Sequence, residues 1–233
     1  MTSSTLSRLL DEVAQRQKRV QAYMFDEKNA VRFSHKHLED AVYSYLRAGG
    51  KSLRPAVLMF ACGAVGGDEE KALPAASTIE LYHTFTLVHD DIIDRDELRR
   101  GVPTVHADFK RRGMQELGFD APTASHYGLA IAILAGDMQI GWAASLLTKL
   151  HTDYDLSPVL ALNLVSDLFG KVQSTLIEGE TLDLYLSEKP LDEVTQDEII
   201  DMLWKKTGVL YEFAGKAGAA IGLNQPDFND PQV

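Results

Sequence analysis

Along nearly the whole chain apolar residues recur at separations of three and four, and no stretch of strand length alternates with a period of two. That is the pattern of helices that each bury one stripe, so the fold class predicted is all-α. A helix is expected over 35–48, capped by Ser34 and stopped by Gly49 and Gly50, because glycine takes the left-handed conformation that ends helices. A second covers 54–66 with Pro55 tolerated in its first turn, and a third covers 73–94 with Pro74 at its start. The glycine and proline within 95–113 read as a loop. Further helices are expected over 124–150 and, after a break at 151–158, from Pro158 to Leu186. Thr195 followed by Glu198 makes a capping box that opens a helix through 197–218. From Asn224 the sequence turns polar and is twice interrupted by proline. With no internal repeat or long linker to divide them, residues 1–233 are read as one domain.

Composition narrows the class. A chain of 233 residues with 45% hydrophobic content buries a substantial core. The 34 acidic against 23 basic residues leave a formal charge of -11, which argues against a nucleic-acid partner, since phosphate backbones are held by basic patches. Cys62, the lone cysteine, lies in the apolar stretch "VLMFACGAV", so neither an intramolecular disulfide nor a CxxC metal pair is available. It reads as a core residue, and the predicted location is the cytoplasm. The N-terminal segment is charged and amphipathic, unlike a signal peptide. The most lipid-like region, 127–147, carries Asp137 at its middle, which favours a buried helix over a membrane span.

The chemistry is concentrated in "LVHDDIIDRDELRRG", residues 87–101, where Asp90, Asp91, Asp94 and Asp96 follow an apolar run and precede Arg99 and Arg100. On a helix turning about 100° per residue, Leu81, Phe85, Val88 and Ile92 share one arc. His83, Leu87, Asp90 and Asp94 fall opposite, with Asp91 to one flank. Carboxylates one turn apart repel each other, and no basic residue at i-4 neutralises them. A solvated acidic face is the ordinary reading of such a cluster. The apolar run above it and the histidine on its stripe favour a magnesium ion, which takes oxygen ligands from one or two carboxylates and completes its shell with water and substrate phosphate. Arginines close behind suit a diphosphate. "GGKSLRP", residues 49–55, lacks P-loop spacing, yet it puts Lys51 and Arg54 at a helix entry that favours anions. "KKT" at 205–207 reads equally as a solvated helix face and joins the site only in combination.

Together these residues resemble the trans-type polyprenyl diphosphate synthases, the family that makes farnesyl, geranylgeranyl and longer isoprenoid diphosphates. The likeness runs from about Leu38 to Ala220, through "GGKSLRP", "ELYHTFTLVHDDIIDRDELRRG", "LAGD", "EGETLDL" and "KT" in the family's order. It implies a bundle of long antiparallel helices around a deep cavity, usually in a homodimer. It also implies a magnesium-dependent prenyltransferase joining isopentenyl diphosphate to an allylic diphosphate. By this resemblance Asp90, Asp91 and Asp94 bind the magnesium that bridges to the allylic diphosphate. Arg99, Lys206 and Thr207 hold that same group, with Lys206 also placed among the catalytic residues. Lys51, Arg54, His83 and Arg100 hold isopentenyl diphosphate.

The sequence departs from the family in lacking the second aspartate-rich motif, so it is expected to be the N-terminal part of a longer protein. Ser52 stands where the family often has arginine, and Glu180 where it often has glutamine. A bulky residue four or five positions before the first aspartate limits product length in the family. Here Thr86 and Phe85 hold those positions, and Phe85 points to a C15 or C20 product. Yet a straight helix turns Phe85 about 140° from Asp90, onto the packed face. Two rival readings remain at this level. One is a non-catalytic partner subunit of a heteromeric synthase. The other is a class I terpene cyclase, whose motif NDxxSxxxE finds no match, since Asn163 is followed at the required offsets by Asp167 and Lys171.

Overall fold

The computed structural model describes residues 3–227, 230, 231 and 233, and the tail positions 228, 229 and 232 of the polar segment lie outside it. The molecule is a helical bundle, as the spacing of apolar residues predicts. Its elements are α1 (Ser3–Phe25), α2 (Lys36–Ala48), α3 (Leu53–Ala64) and α4 (Leu73–Ile93), then β1 (Leu98–Arg99) and β2 (Val102–Pro103). These are followed by α5 (Val105–Leu117), α6 (Ala121–Thr152), α7 (Pro158–Ser166), α8 (Gln173–Ser187), α9 (Gln196–Leu203) and α10 (Val209–Leu223).

Long α6 is the spine. It packs along α4 on one side and α5 on the other, while α3 lies against α10. The core between them is apolar and includes Trp142, Tyr43, Phe109, Leu58 and Met59, with Cys62 also fully buried. Several donors drawn into this core reach backbone carbonyls of neighbouring segments. Trp142 Nε1 donates to the Asn29 carbonyl at 2.8 Å, Tyr43 Oη to that of Val31 at 2.7 Å, and Gln139 Nε2 to that of Val42 at 2.7 Å. By length and composition α6 is able to cross a membrane, but 44% of its most apolar window is buried inside the protein.

The structure corrects several helix boundaries. Ser34 does not cap α2; His35 occupies the cap position without a side-chain bond. The stretch 95–113 is no loop. Arg100 (φ 54°) and Gly101 (φ 81°) are consecutive left-handed residues, the pair that a two-residue hairpin turn needs. They join β1 to β2 with Arg99 opposite Val102. Helix α5 then begins, and buries Val105, Phe109 and Gly113 at four-residue spacing.

The long helix expected from Pro158 is broken in register rather than in path, because Asp167–Val172 is π-helical between α7 and α8. Likewise Trp204–Gly208 is π-helical between α9 and α10. The capping box that opens α9 forms as predicted: Thr195 Oγ1 accepts from Glu198 N at 3.3 Å, and Glu198 Oε2 accepts from Thr195 N at 2.8 Å.

Candidate active site

Two adjoining cavities share Arg54, His83 and Leu87 as a common wall. The first, about 580 Å³, is lined by Lys51, Arg54, His83, Arg99 and Arg100 and therefore gathers the basic groups of "GGKSLRP" and the hairpin. The second, about 510 Å³, has apolar walls from α4, α6 and α8, among them Tyr82, Phe85, Ile140, Leu176 and Ile177. Asp90, Glu180, Lys206 and Thr207 also line it.

In the first cavity Arg54 is half-buried and its guanidinium lies 4.6 Å from the Tyr211 ring centre, while its Nη1 is 3.2 Å from His83 Nε2. Burial pulls Arg54 below its ordinary value, opposed by Tyr211 and Glu80. Burial first, and then the charges of Arg54, Arg100 and Arg99, press His83 down to about 3, so its ring is neutral at physiological pH. Arg100 Nη1 donates to the Gly49 carbonyl at 2.6 Å, and Lys51 is exposed at the cavity wall.

The aspartates separate into different roles. Asp91 is fully buried, with its oxygens taken by Arg99 (Nη2 at 2.6 Å, Nε at 2.8 and 3.0 Å) and by the Tyr45 hydroxyl. Asp90 faces Lys206 at 3.8 Å across to α8, and Lys206 Nζ reaches Glu180 at 2.9 Å and Asp183 at 2.5 Å. Burial, then Glu180 and Asp94, push Asp90 up to about 7 against the pull of Lys206. Asp94, exposed at the end of α4, is likewise raised by burial and by Glu180, Asp96 and Asp183, with Lys206 opposing. For Lys206, burial opposes the charge, but the bonds to Asp183 and Glu180 and the charge of Asp90 win and raise it.

Structure thus brings Asp90, Lys206 and Thr207 to one cavity and Lys51, Arg54, Arg99 and Arg100 to the other, with His83 between. Arg99 sits with the "GGKSLRP" cations rather than beside Lys206. Sequence reasoning did not assign Glu180, Asp183, Glu80 or Tyr45 to the site, although Glu180 and Asp183 belong to the "EGETLDL" stretch. Lys206 and Thr207 are carried by the π-helical turn Trp204–Gly208, a local widening common at functional sites. Gly179 on α8 permits its approach, because a Cβ there meets Lys206 N at 2.4 Å.

The donor set suits a hard divalent cation. Burial and neighbouring carboxylates hold Asp90 and Asp94 above the ordinary aspartate range, and Glu180 Oε1 beside them is buried with no hydrogen-bond partner. Among the described residues no group of three or more His, Cys, Asp or Glu side chains forms a ready-made metal centre. Magnesium does not need one, since one or two carboxylates plus substrate phosphates complete its shell.

Fold and site together define an α-helical protein in which a cation-lined cavity adjoins one with apolar walls. Residues 35–230 match the polyprenyl synthetase family, and the chain belongs to that family. It is 38% identical over 217 residues to a geranylgeranyl diphosphate synthase of Methanosarcina mazei, covering 93% of this chain and 59% of that protein. The geranylgeranyl pyrophosphate synthetase structure from Geoglobus acetivorans superposes with a TM-score of 0.73 at 35% identity, covering 90% of this chain and 59% of that one. A geranylgeranyl pyrophosphate synthase from Corynebacterium glutamicum, complexed with isoprenyl diphosphate and magnesium, gives 0.70 at 26% identity, covering 93% and 59%. The chain therefore spans about three fifths of the length of these relatives.

Proposed function

We propose that the protein is a magnesium-dependent prenyltransferase of the cytoplasm that condenses isopentenyl diphosphate with an allylic diphosphate to a trans-polyprenyl diphosphate, C15 to C20 favoured. The observation that carries this reading is the shared wall: a cation-lined chamber meets an apolar one at His83 and Leu87, with Asp90 and Lys206 lining the apolar side. One chamber suits the head of the extending unit and the other the allylic chain.

In this reading Lys51, Arg54 and Arg100 bind the isopentenyl diphosphate head, and neutral His83 offers a hydrogen bond without adding charge. Lys206 and Thr207 hold the allylic diphosphate, and Tyr82, Phe85, Leu176 and Ile177 receive its hydrocarbon tail. Asp90 and Asp94 are the magnesium ligands on α4, and the ion supplies charge neutralisation for the departing pyrophosphate. Asp91 differs from its sequence-based role as a third ligand: with its oxygens committed to Arg99 and Tyr45, it anchors the hairpin instead.

Breaking the allylic C–O bond leaves a carbocation and a highly charged leaving group. Cations fixed in advance by the fold stabilise that charge as it grows. The isopentenyl alkene attacks the carbocation, and the proton lost from the adduct passes to the pyrophosphate. No protein nucleophile takes part. Pairing of two copies completes the proposal, with Ile133 and Leu134 on α6 providing exposed apolar surface for it.

Incubating the protein with magnesium, isopentenyl diphosphate and allylic primers of increasing length tests the reading. A prenyl diphosphate longer than the primer by one or more five-carbon units is expected. Hydrocarbon release from the primer without isopentenyl diphosphate points to a cyclase and refutes it.

A further inference from the structure

Glu80 is the odd charge in the anion chamber. It lies on α4 one turn before His83 and lines the same cavity as Lys51, Arg54, Arg99 and Arg100, where a carboxylate repels the ligand that these cations attract. Burial raises its carboxyl above the ordinary range, while Ser52, Arg54 and Arg100 pull the other way. Its Oε1 accepts from Ser52 Oγ at 2.9 Å, and its Oε2 is sealed from solvent with no hydrogen-bond partner.

Ser52 explains why the carboxylate is there. It sits at φ 44°, ψ 41°, a left-handed conformation that residues other than glycine adopt infrequently, immediately before α3. The turn is tied at further points: Gln17 Nε2 of α1 donates to the Gly50 carbonyl at 2.7 Å, and Arg100 donates to that of Gly49. Lys51 precedes Ser52, and Arg54 follows in the first turn of α3. The direction in which both cations leave the backbone thus depends on how Ser52 is held.

We infer that Glu80 is a positioning residue for the extending diphosphate, holding Ser52 in its left-handed conformation so that Lys51 and Arg54 converge on the same anion. The inference rests on the proposed function. It makes a prediction of opposite sign to simple electrostatics. Removing a negative charge from an anion site tightens binding if charge alone matters, whereas releasing the turn weakens it.

Calorimetric titration of isopentenyl diphosphate into the wild-type chain and into Glu80→Ala, Glu80→Gln and Ser52→Ala tests this. An allylic thiolodiphosphate with magnesium is titrated in parallel. Glu80→Ala and Ser52→Ala are expected to weaken isopentenyl diphosphate by about tenfold, the scale of one side-chain hydrogen bond. Glu80→Gln, whose amide oxygen still accepts from Ser52, is expected to stay near wild type, and the allylic analogue is expected to bind all four proteins alike. Equal or tighter binding by the alanine variants overturns the inference, and so does parallel loss of both ligands. If Glu80→Ala fails to give a cooperative melt, Ser52→Ala decides, since it removes the same bond from the half-buried turn side without touching α4. A wild-type chain that binds the allylic analogue but not isopentenyl diphosphate overturns the proposed function itself, and this inference with it.

Discussion

Replacing Arg99 by alanine probes the division of labour among the aspartates. Asp91 has 0% exposure, and Arg99 supplies N–O contacts of 2.6, 2.8 and 3.0 Å to it from a side chain 24% exposed. After the change, the Asp91 carboxylate keeps the Tyr45 hydroxyl as its neighbour. Removing one partner of a buried ion pair costs about 3–5 kcal/mol, chiefly because the remaining charge stays buried. The partial exposure of Arg99 places the expectation at the lower end, about 3 kcal/mol. With a urea dependence of about 2 kcal/mol per molar, the unfolding midpoint falls by about 1.5 M. Asp91→Asn combined with Arg99→Gln removes both charges and should be less damaging than Arg99→Ala alone. That excess is the signature of an isolated buried charge. A loss below about 1 kcal/mol in Arg99→Ala, the range of an exposed pair, shows that Asp91 is open to solvent. Asp91 is then free to bind metal, and its assignment as an anchor is wrong.

Phe85→Ala deepens the apolar cavity beside Tyr82, whose ring centre lies 4.8 Å away, and is expected to shift the product to longer chains in radiolabelled reverse-phase analysis; an unchanged length contradicts a floor at Phe85. His83, neutral when folded with its value near 3 against an ordinary 6.5, gives a pH dependence of definite sign. Below 6.5 the unfolded chain binds a proton that the folded one refuses, so stability falls from pH 6.5 towards 3 by up to about 1.4 kcal/mol per unit. Urea titrations across that window should show a shallower acid loss in His83→Gln; equal slopes refute the assignment.

Much of the fold was legible because long helices repeat their apolar stripes many times. The capping box at Thr195 and Glu198 needs only two side chains three residues apart in sequence, so its start could be read directly. The hairpin was not legible, since strands of two residues are too short to show a period. Helix α5 was masked by the glycine and proline just before it, although Val105, Phe109 and Gly113 carried its spacing. The register shifts at Asp167–Val172 and Trp204–Gly208 leave no mark in a pattern of separations, because the helix continues on either side.

The site shows the same division. Of the stripe of His83, Leu87, Asp90 and Asp94, the first three line cavity wall, while Asp94 lies exposed at the end of α4. Phe85, expected on the packed face, is instead half-buried and lines the apolar cavity. The cavity-lining residues of α4, from Leu87 round through Asp90 and Tyr82 to Phe85, take up about half the helix circumference. A helical projection cannot foresee so broad an opening. Nor can it foresee that Asp91 meets Arg99 and Tyr45, which come from a hairpin and from α2.

The central claim is that Asp90 and Asp94 hold magnesium against an allylic diphosphate. It is tested most directly by titrating a non-hydrolysable allylic diphosphate analogue into the wild-type protein and into Asp90→Asn/Asp94→Asn, each with and without magnesium. The account predicts that magnesium tightens binding to the wild-type chain by at least about a hundredfold, the scale of 2.7 kcal/mol, and that the double variant loses this gain. An equal magnesium effect in both proteins contradicts it.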